Sequence, residues 1–263
     1  MSIFEAIFLG FIQGMTEFLP VSSSGHLAIA QHYLPNFQQP GVLFDVMLHV
    51  GTMVAVIIYF RKDIIQLATS PFLKGEEPKV YRHMLKLLIL GSVPTAIIGL
   101  LFKDFFTGLF DNLTVVSSML LVTGCLLFVS ERVRNDGRRT ADMNISDALI
   151  VGIAQGCAIV PGISRSGATI STLLFKGVEG ETAARFSFLL ALPAVFGAAL
   201  LSLKDISQVA SAEVPAYVLG TAVAFAAGLF SIHFLMKVIR KKRLFAFAIY
   251  CWLAGATFLL ISF

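Results

Sequence analysis

Gln155-Gly156-Cys157-Ala158-Ile159-Val160-Pro161-Gly162-Ile163-Ser164-Arg165-Ser166-Gly167 interrupts an otherwise apolar run, residues 146–185. A helix crossing hydrocarbon would carry Leu and Val here, not a proline, glycines, serines and an arginine. An arginine at the centre of such a helix costs about 2.5–3.5 kcal/mol on insertion scales. Irregular backbone inside a membrane is tolerated only where it lines a protein cavity. The run therefore reads as a re-entrant helix–loop–helix hairpin. Two short full spans are the alternative, disfavoured by Ser164, Arg165 and Ser166 in mid-segment.

The membrane itself follows from composition. Of 263 residues, 57% are hydrophobic and only 14% charged, with a mean hydropathy of +0.83. So few charges cannot cover a water-facing surface. A soluble pair of domains, a disordered chain, a coiled coil and a disulfide scaffold are all excluded. The net charge of +4 reports membrane topology rather than nucleic acid. Cys125, Cys157 and Cys251 stand apart in apolar stretches, with no spacing for zinc or a disulfide framework. Glu5 stands where a secretory signal would have a basic region, and no small-residue cleavage site follows.

Six stretches are long and apolar enough to span: Val42–Phe60, Met84–Phe102, Leu113–Ser130, Phe186–Leu203, Val214–Met236 and Leu244–Phe263. Their length suits a hydrocarbon core of about 30 Å. Continuous rather than alternating apolarity excludes strands. The linkers divide by charge. Loop 61–83 carries Arg61, Lys62, Lys74, Lys79 and Arg82; loop 131–145 carries Arg132, Arg134, Arg138 and Arg139; loop 237–243 carries Lys237, Arg240, Lys241, Lys242 and Arg243. Loops 103–112 and 204–213 have only Lys103 and Lys204. The basic loops belong in the cytoplasm. Segment 146–185 must then begin and end inside, and segment 1–41 must end outside.

Segment 1–41 repeats the pattern of 146–185. Shifted by 142 residues, Gly10 falls on Gly152, Gln13 on Gln155, Gly14 on Gly156, Ser22 on Ser164, Ser24 on Ser166 and Gly25 on Gly167; Phe44 and Leu48 fall on Phe186 and Leu190. Chance alignment of apolar sequence matches Leu and Val, not Gln-Gly and Ser-x-Ser-Gly. The fold class is an all-α polytopic membrane protein: one membrane domain, 1–263, of six transmembrane helices and two re-entrant hairpins. Repeat one covers 1–130 with its hairpin at 1–41. Repeat two covers 146–263 with its hairpin at 146–185 and the opposite topology. Inverted repeats place binding sites near the midplane, at broken helices in matching positions. The bland reading of the Gly and Ser residues is close helix packing.

The copies differ where reactive groups stand: Glu17 faces Ile159, Ser23 faces Arg165 and His26 faces Ala168. A Ser/Gly run entering a helix offers N–H groups and hydroxyls to an anion. Arg165 adds a fork suited to phosphate oxygens; its bland reading is a salt bridge to Glu17. The candidate catalytic residues are Ser23, His26, Glu17 and Arg165. Gln13, Ser22, Ser24, Gly25, Ser164, Ser166 and Gly167 are candidates for binding phosphate. Ser23 is the expected nucleophile, activated by His26 or Glu17; His26 as nucleophile is the competing chemistry. Asp45 and His49, four apart on one helical face, either bond each other or help at the site, with polar helix–helix contact the blander option. Lys86 is expected to snorkel, while His32, His233 and Glu5 have no assigned part.

With these motifs the chain resembles the undecaprenyl pyrophosphate phosphatase family linked to bacitracin resistance. The resemblance rests on Gln13-xxx-Glu17-Phe18-Leu19-Pro20-Val21-Ser22-Ser23-Ser24-Gly25-His26 and on Pro161-Gly162-Ile163-Ser164-Arg165-Ser166-Gly167-Ala168-Thr169-Ile170, and runs nearly the length of the chain. The family has Glu or Gln, three residues, then Glu; with Gln13 first, Glu17 is the motif's only carboxylate. The resemblance implies a bacterial inner-membrane enzyme that removes one phosphate from undecaprenyl pyrophosphate and returns the carrier to cell-wall synthesis. It further implies a site open to the periplasm and a divalent cation, Mg²⁺ or Ca²⁺, whose ligands are not identified beyond Glu17 as a candidate. Expected partners are the polyprenyl pyrophosphate lipid and the bilayer, with a homodimer left open and nucleic acid not expected. A transporter or flippase of polyprenyl phosphate lipids is the alternative, because paired re-entrant hairpins are also a transporter plan. A channel is disfavoured, since the intramembrane polar residues form two blocks and no pore-lining stripe.

Overall fold

A computed structural model describes the chain apart from residues 35, 36, 38, 40, 41, 134–136, 203, 205–208, 242, 262 and 263. Arg134, Lys242, the span ends Leu203 and Phe263, and the end of the first hairpin at 41 lie outside the described residues. Among those described, the structure is helical, with one isolated bridge between Arg138 and Val178. The first hairpin is α1 (Ile3–Phe18) and α2 (Ser23–His32), followed by α3 (Leu43–Tyr59), α4 (Arg61–Thr69), α5 (Glu76–Leu101), α6 (Lys103–Leu109) and α7 (Leu113–Arg132). The second hairpin is α8 (Ile145–Cys157) and α9 (Arg165–Phe175), followed by α10 (Gly180–Ser202), α11 (Val214–Arg240) and α12 (Phe245–Ile261).

Four helices, α5, α7, α10 and α11, are long and apolar enough to cross a bilayer by themselves. The expected span Val42–Phe60 is α3, which turns by 77° into α4. The bend falls where apolar sequence gives way to Arg61 and Lys62, which favour headgroups over hydrocarbon. The last expected span is α12, with 17 described residues. Among the described residues the long apolar helices therefore number four, or five with the bent pair, and α12 is a shorter apolar helix. The hairpin helices are shorter: 16, 10, 13 and 11 residues for α1, α2, α8 and α9. At 1.5 Å per residue they reach about 24, 15, 20 and 16 Å, each short of the roughly 30 Å core.

The two hairpins start on the same device. Ser2 and Glu5 form a capping box at α1, and Asn144 and Asp147 form one at α8. Each satisfies two of the N–H groups that a helix start leaves unpaired, worth about 1 kcal/mol. The hairpins then pack on distant partners: α1 lies along α11 and α8 along α5, while α7 lies along α12. Both contacts depend on glycine. A Cβ on Gly10 would stand 2.3 Å from the Gly220 carbonyl oxygen, and one on Gly152 would stand 2.0 Å from that of Gly91. These obstacles are backbone and cannot rotate away. Gly152→Ala is therefore expected to destabilise the protein by about 1–3 kcal/mol, read as a lower unfolding temperature in detergent. An unchanged temperature would mean that α5 and α8 are free to part.

Phe44 and Phe186, which correspond at the 142-residue shift, are both fully buried. Phe18 meets Phe188 edge-on, with centroids 5.3 Å apart, joining the first hairpin to α10. Large apolar side chains also cover the outside: Phe4, Leu101, Phe230, Leu253 and Leu260 are exposed, as a lipid-facing surface requires. At one end of the bundle the residues flanking the basic loops meet in ion pairs. Arg138 bonds buried Asp147 at 2.6 Å, Arg185 bonds Asp63 at 3.2 Å and Arg240 makes two bonds to Glu181.

Candidate active site

The loops after α1 and after α8 meet, and both helices that follow start with the same serine cap. Ser22 Oγ accepts the Gly25 N–H at 3.2 Å, and Ser164 Oγ accepts the Gly167 N–H at 3.0 Å. Ser22 and Ser24 hydroxyls lie 3.3 Å apart, and Ser164 and Ser166 hydroxyls 3.2 Å apart. The loops touch at the glycines: a Cβ on Gly25 would stand 3.0 Å from Gly162 Cα, and one on Gly167 3.4 Å from Pro20 Cβ. Ser166 Oγ also donates to the Leu19 carbonyl at 3.2 Å. Of the residues expected to bind phosphate, Gly25, Gly167 and Ser166 are where the two loops touch. Ser22 sits at φ 70°, ψ 90°, a left-handed conformation that is costly for serine and common at functional sites.

The other end of α9 leads to Lys176, whose Nζ is 3.7 Å from Asp147 at the basic end of the bundle. Arg165 starts this helix of 11 residues, so about 16 Å of helix separates it from Lys176.

Where the loops meet, Glu17 is the hub. It is buried, in the last turn of α1. Ser23 Oγ donates to its Oε2 at 2.5 Å, Gln13 Nε2 donates to the same oxygen at 2.9 Å, and Arg165 Nη2 bonds its Oε1. His49 Nε2, from α3, stands 3.5 Å from Oε2. Arg165 Nη1 is buried without a hydrogen-bond partner in the protein, as is Gln13 Oε1. A buried guanidinium N–H with nothing to bond is rare enough to need a ligand or a reason. A narrow pocket beside the pair is lined by Glu17, Arg165 and Thr52 and by apolar Val56, Ala191 and Leu192.

Ser23, Glu17, Gln13 and Arg165 are thus brought together, and His26 is not brought to Ser23. Its Nδ1 is 2.8 Å from the Ser22 carbonyl, which can only accept, so Nδ1 carries the proton. Its Nε2 is 2.7 Å from the Tyr250 hydroxyl, and the two rings stack at 5.6 Å. Both ring nitrogens are engaged away from the serine. The two bonds, to the Ser22 carbonyl and to Tyr250 on α12, hold the ring on the α12 side, while the Ser23 hydroxyl turns back to Glu17 on α1. Of the options open for Asp45 and His49, the structure shows a side-chain-to-backbone bond and places His49 beside Glu17. His49 Nδ1 bonds the backbone carbonyl of Asp45 at 2.8 Å, while the Asp45 carboxylate is taken by Gln31 and Gln39. Sequence reasoning undervalued His49, whose signal was only its place four residues after Asp45. It missed Thr123, which accepts the Ser164 N–H and donates to the Gly162 carbonyl. A threonine in an apolar helix carries no mark of that task.

A divalent cation held by side chains does not fit here. Among the described residues no three of His, Cys, Asp and Glu gather as a metal would need. Both oxygens of Glu17 are already engaged by protein groups.

A family model described as bacitracin resistance protein BacA matches residues 6–257. Undecaprenyl-diphosphatase of Syntrophotalea carbinolica is 63% identical over 262 residues, covering 100% of both chains. Undecaprenyl-diphosphatase of Halothermothrix orenii is 44% identical over 264 residues, covering 100% of this chain and 99% of that one. Undecaprenyl-diphosphatase 4 of Bacillus thuringiensis is 40% identical over 261 residues, 98% of this chain and 97% of its own.

Proposed function

The chain belongs to the bacitracin resistance protein BacA family, and we propose from that premise how its site works on the lipid pyrophosphate. The protein is a membrane enzyme that hydrolyses undecaprenyl pyrophosphate to undecaprenyl phosphate and inorganic phosphate. The transporter alternative is not favoured. One observation carries the assignment of roles: a serine hydroxyl bonded to a buried carboxylate, which is paired to an arginine with a second, unpartnered nitrogen.

In this reading Ser23 Oγ attacks the terminal phosphorus while Glu17 Oε2 takes its proton. The lipid phosphate leaves with the bridging oxygen and its electron pair. Water then attacks the phosphoserine, the P–Oγ bond breaks, and Ser23 regains a proton. Arg165 Nη1 and the N–H groups at the starts of α2 and α9 bind the phosphate oxygens and stabilise charge as the bonds exchange. Gln13 orients Glu17. Tyr250 and the Ser22 carbonyl hold His26 at the rim, where it contacts the loop rather than the nucleophile.

The basic end belongs in the cytoplasm and the site opens to the periplasm of a bacterial inner membrane, a reading supported by the loop charges. The inverted repeat is supported by the matching caps and the matching glycine contacts. Mg²⁺ or Ca²⁺, as the family resemblance implies, would neutralise charge on the pyrophosphate; Glu17, with both oxygens engaged by protein groups, would not hold it. The experiment is phosphate release from undecaprenyl pyrophosphate by purified protein in detergent, with and without chelator. Release is expected, slowed by chelation and restored by Mg²⁺. No release, with counterflow of lipid phosphate in liposomes, would favour transport; release unaffected by chelation would remove the cation.

A further inference from the structure

His49 stands beside the atom that receives the serine proton, yet the reaction as written gives it no part. Its Nε2 is 3.5 Å from Glu17 Oε2, the same oxygen to which Ser23 donates at 2.5 Å. Its Nδ1–H is committed to the Asp45 carbonyl at 2.8 Å. That bond fixes the tautomer, so the lone pair of neutral His49 lies on Nε2 and faces the carboxylate. Two acceptors facing each other form a receptor for one proton. The arrangement repeats the logic of a nucleophile, a base and an orienting third group. The side chain is 28% exposed, so it borders open space rather than filling the core.

We propose that His49 is the proton store of this site, acting through Glu17. The inference rests on the hydrolase reading above. As Ser23 Oγ bonds to phosphorus and the bridging P–O bond breaks, its proton passes to Oε2 and on to Nε2, leaving imidazolium beside carboxylate. The lipid phosphate departs unprotonated. When water bonds to phosphorus and the P–Oγ bond breaks, Nε2 returns that proton through Oε2 to Ser23. Both protons of the attacking water leave with inorganic phosphate, as dihydrogen phosphate. His49 never touches the substrate. The ionisable groups meeting here are Glu17 from α1, Arg165 from α9 and Asp45 on its own helix. On α11, Tyr217 lies towards Asp45, and α10 offers Ala191, Leu192 and Val195 beside Glu17.

The test is the pH profile of phosphate release by the full-length protein in detergent, for wild type and His49→Gln. Glutamine can still donate to Oε2 but cannot titrate. The expected result is a fall in kcat of about 10²-fold, an unchanged KM, and loss of the limb of the profile that wild type shows on the acid side. His49→Ala leaves a space beside Oε2, and added imidazole is expected to restore part of its rate. A His49→Gln profile parallel to wild type, or an Ala variant that imidazole does not rescue, would overturn the proposal while leaving the hydrolase intact. A wild type that releases no phosphate would take down the hydrolase reading and the proton store together.

Discussion

Arg165→Lys is expected to release phosphate about 10²–10³-fold more slowly than wild type, in protein that folds and extracts normally. The guanidinium does two things at once. Nη2 neutralises Glu17, and Nη1, buried with no protein partner, remains for the substrate. A lysine ammonium is a single head on a flexible stem. It can stay on Glu17 or reach a phosphate oxygen, but it cannot present two nitrogens in one plane. Lysine is a better probe than alanine here. Arg165→Ala would leave the Glu17 carboxylate buried without its counter-charge, a loss of about 3–5 kcal/mol of stability, and inactivity would then have two causes. The measurement is steady-state phosphate release together with the unfolding temperature. A Lys variant within threefold of wild type would reduce Arg165 to the counter-ion of Glu17.

Ser23→Ala is expected to lose more, upwards of about 10⁴-fold in kcat, with little change in stability because Ser23 is only partly buried. Its hydroxyl is the reacting group, and no neighbour replaces it. His26 does not: one ring nitrogen is tied to the Ser22 carbonyl and the other to Tyr250. Quenched turnover of wild type should accordingly trap an acid-stable phosphoenzyme, as a phosphoserine is. An acid-labile phosphohistidine, or normal turnover by Ser23→Ala, would sink this assignment. Around the nucleophile the losses should be ordered by distance from the proton. Glu17→Ala removes the acceptor itself and should approach the serine variant. Gln13→Ala removes one bond to Oε2 and should be milder. The reverse order would mean that Gln13, with its own unpartnered Oε1, meets the substrate directly.

The site was largely legible because its residue types are expensive where they stand. An arginine, a carboxylate and a serine run in apolar sequence need a reason that a surface residue would not, and Arg165, Glu17 and Ser23 do converge. Distance along the chain does not tell which histidine meets the Glu17–Ser23 pair. His26 follows Ser23 by three residues, yet its ring is bonded to the Ser22 carbonyl and to Tyr250 on α12. His49 is 26 residues from Ser23 (49 − 23), and only the packing of α3 against α1 brings it to Glu17.

What the sequence determined by itself is the medium, the two broken hairpins and the chemistry they hold. Solvation sets those locally: apolar composition demands lipid, and polar, proline-broken backbone demands a cavity within it. Which helices pair was decided only in the tertiary structure. The sequence names no partner for either helix; α1 lies mainly on α11, and α8 lies on α5. Gly10 and Gly152 are alike at the sequence level, and so are their partners Gly220 and Gly91. A glycine permits a close approach without naming what approaches. The choice comes from the summed fit of whole helix faces, and that exchange between halves brings the two loops together, with Arg165 of one on Glu17 of the other.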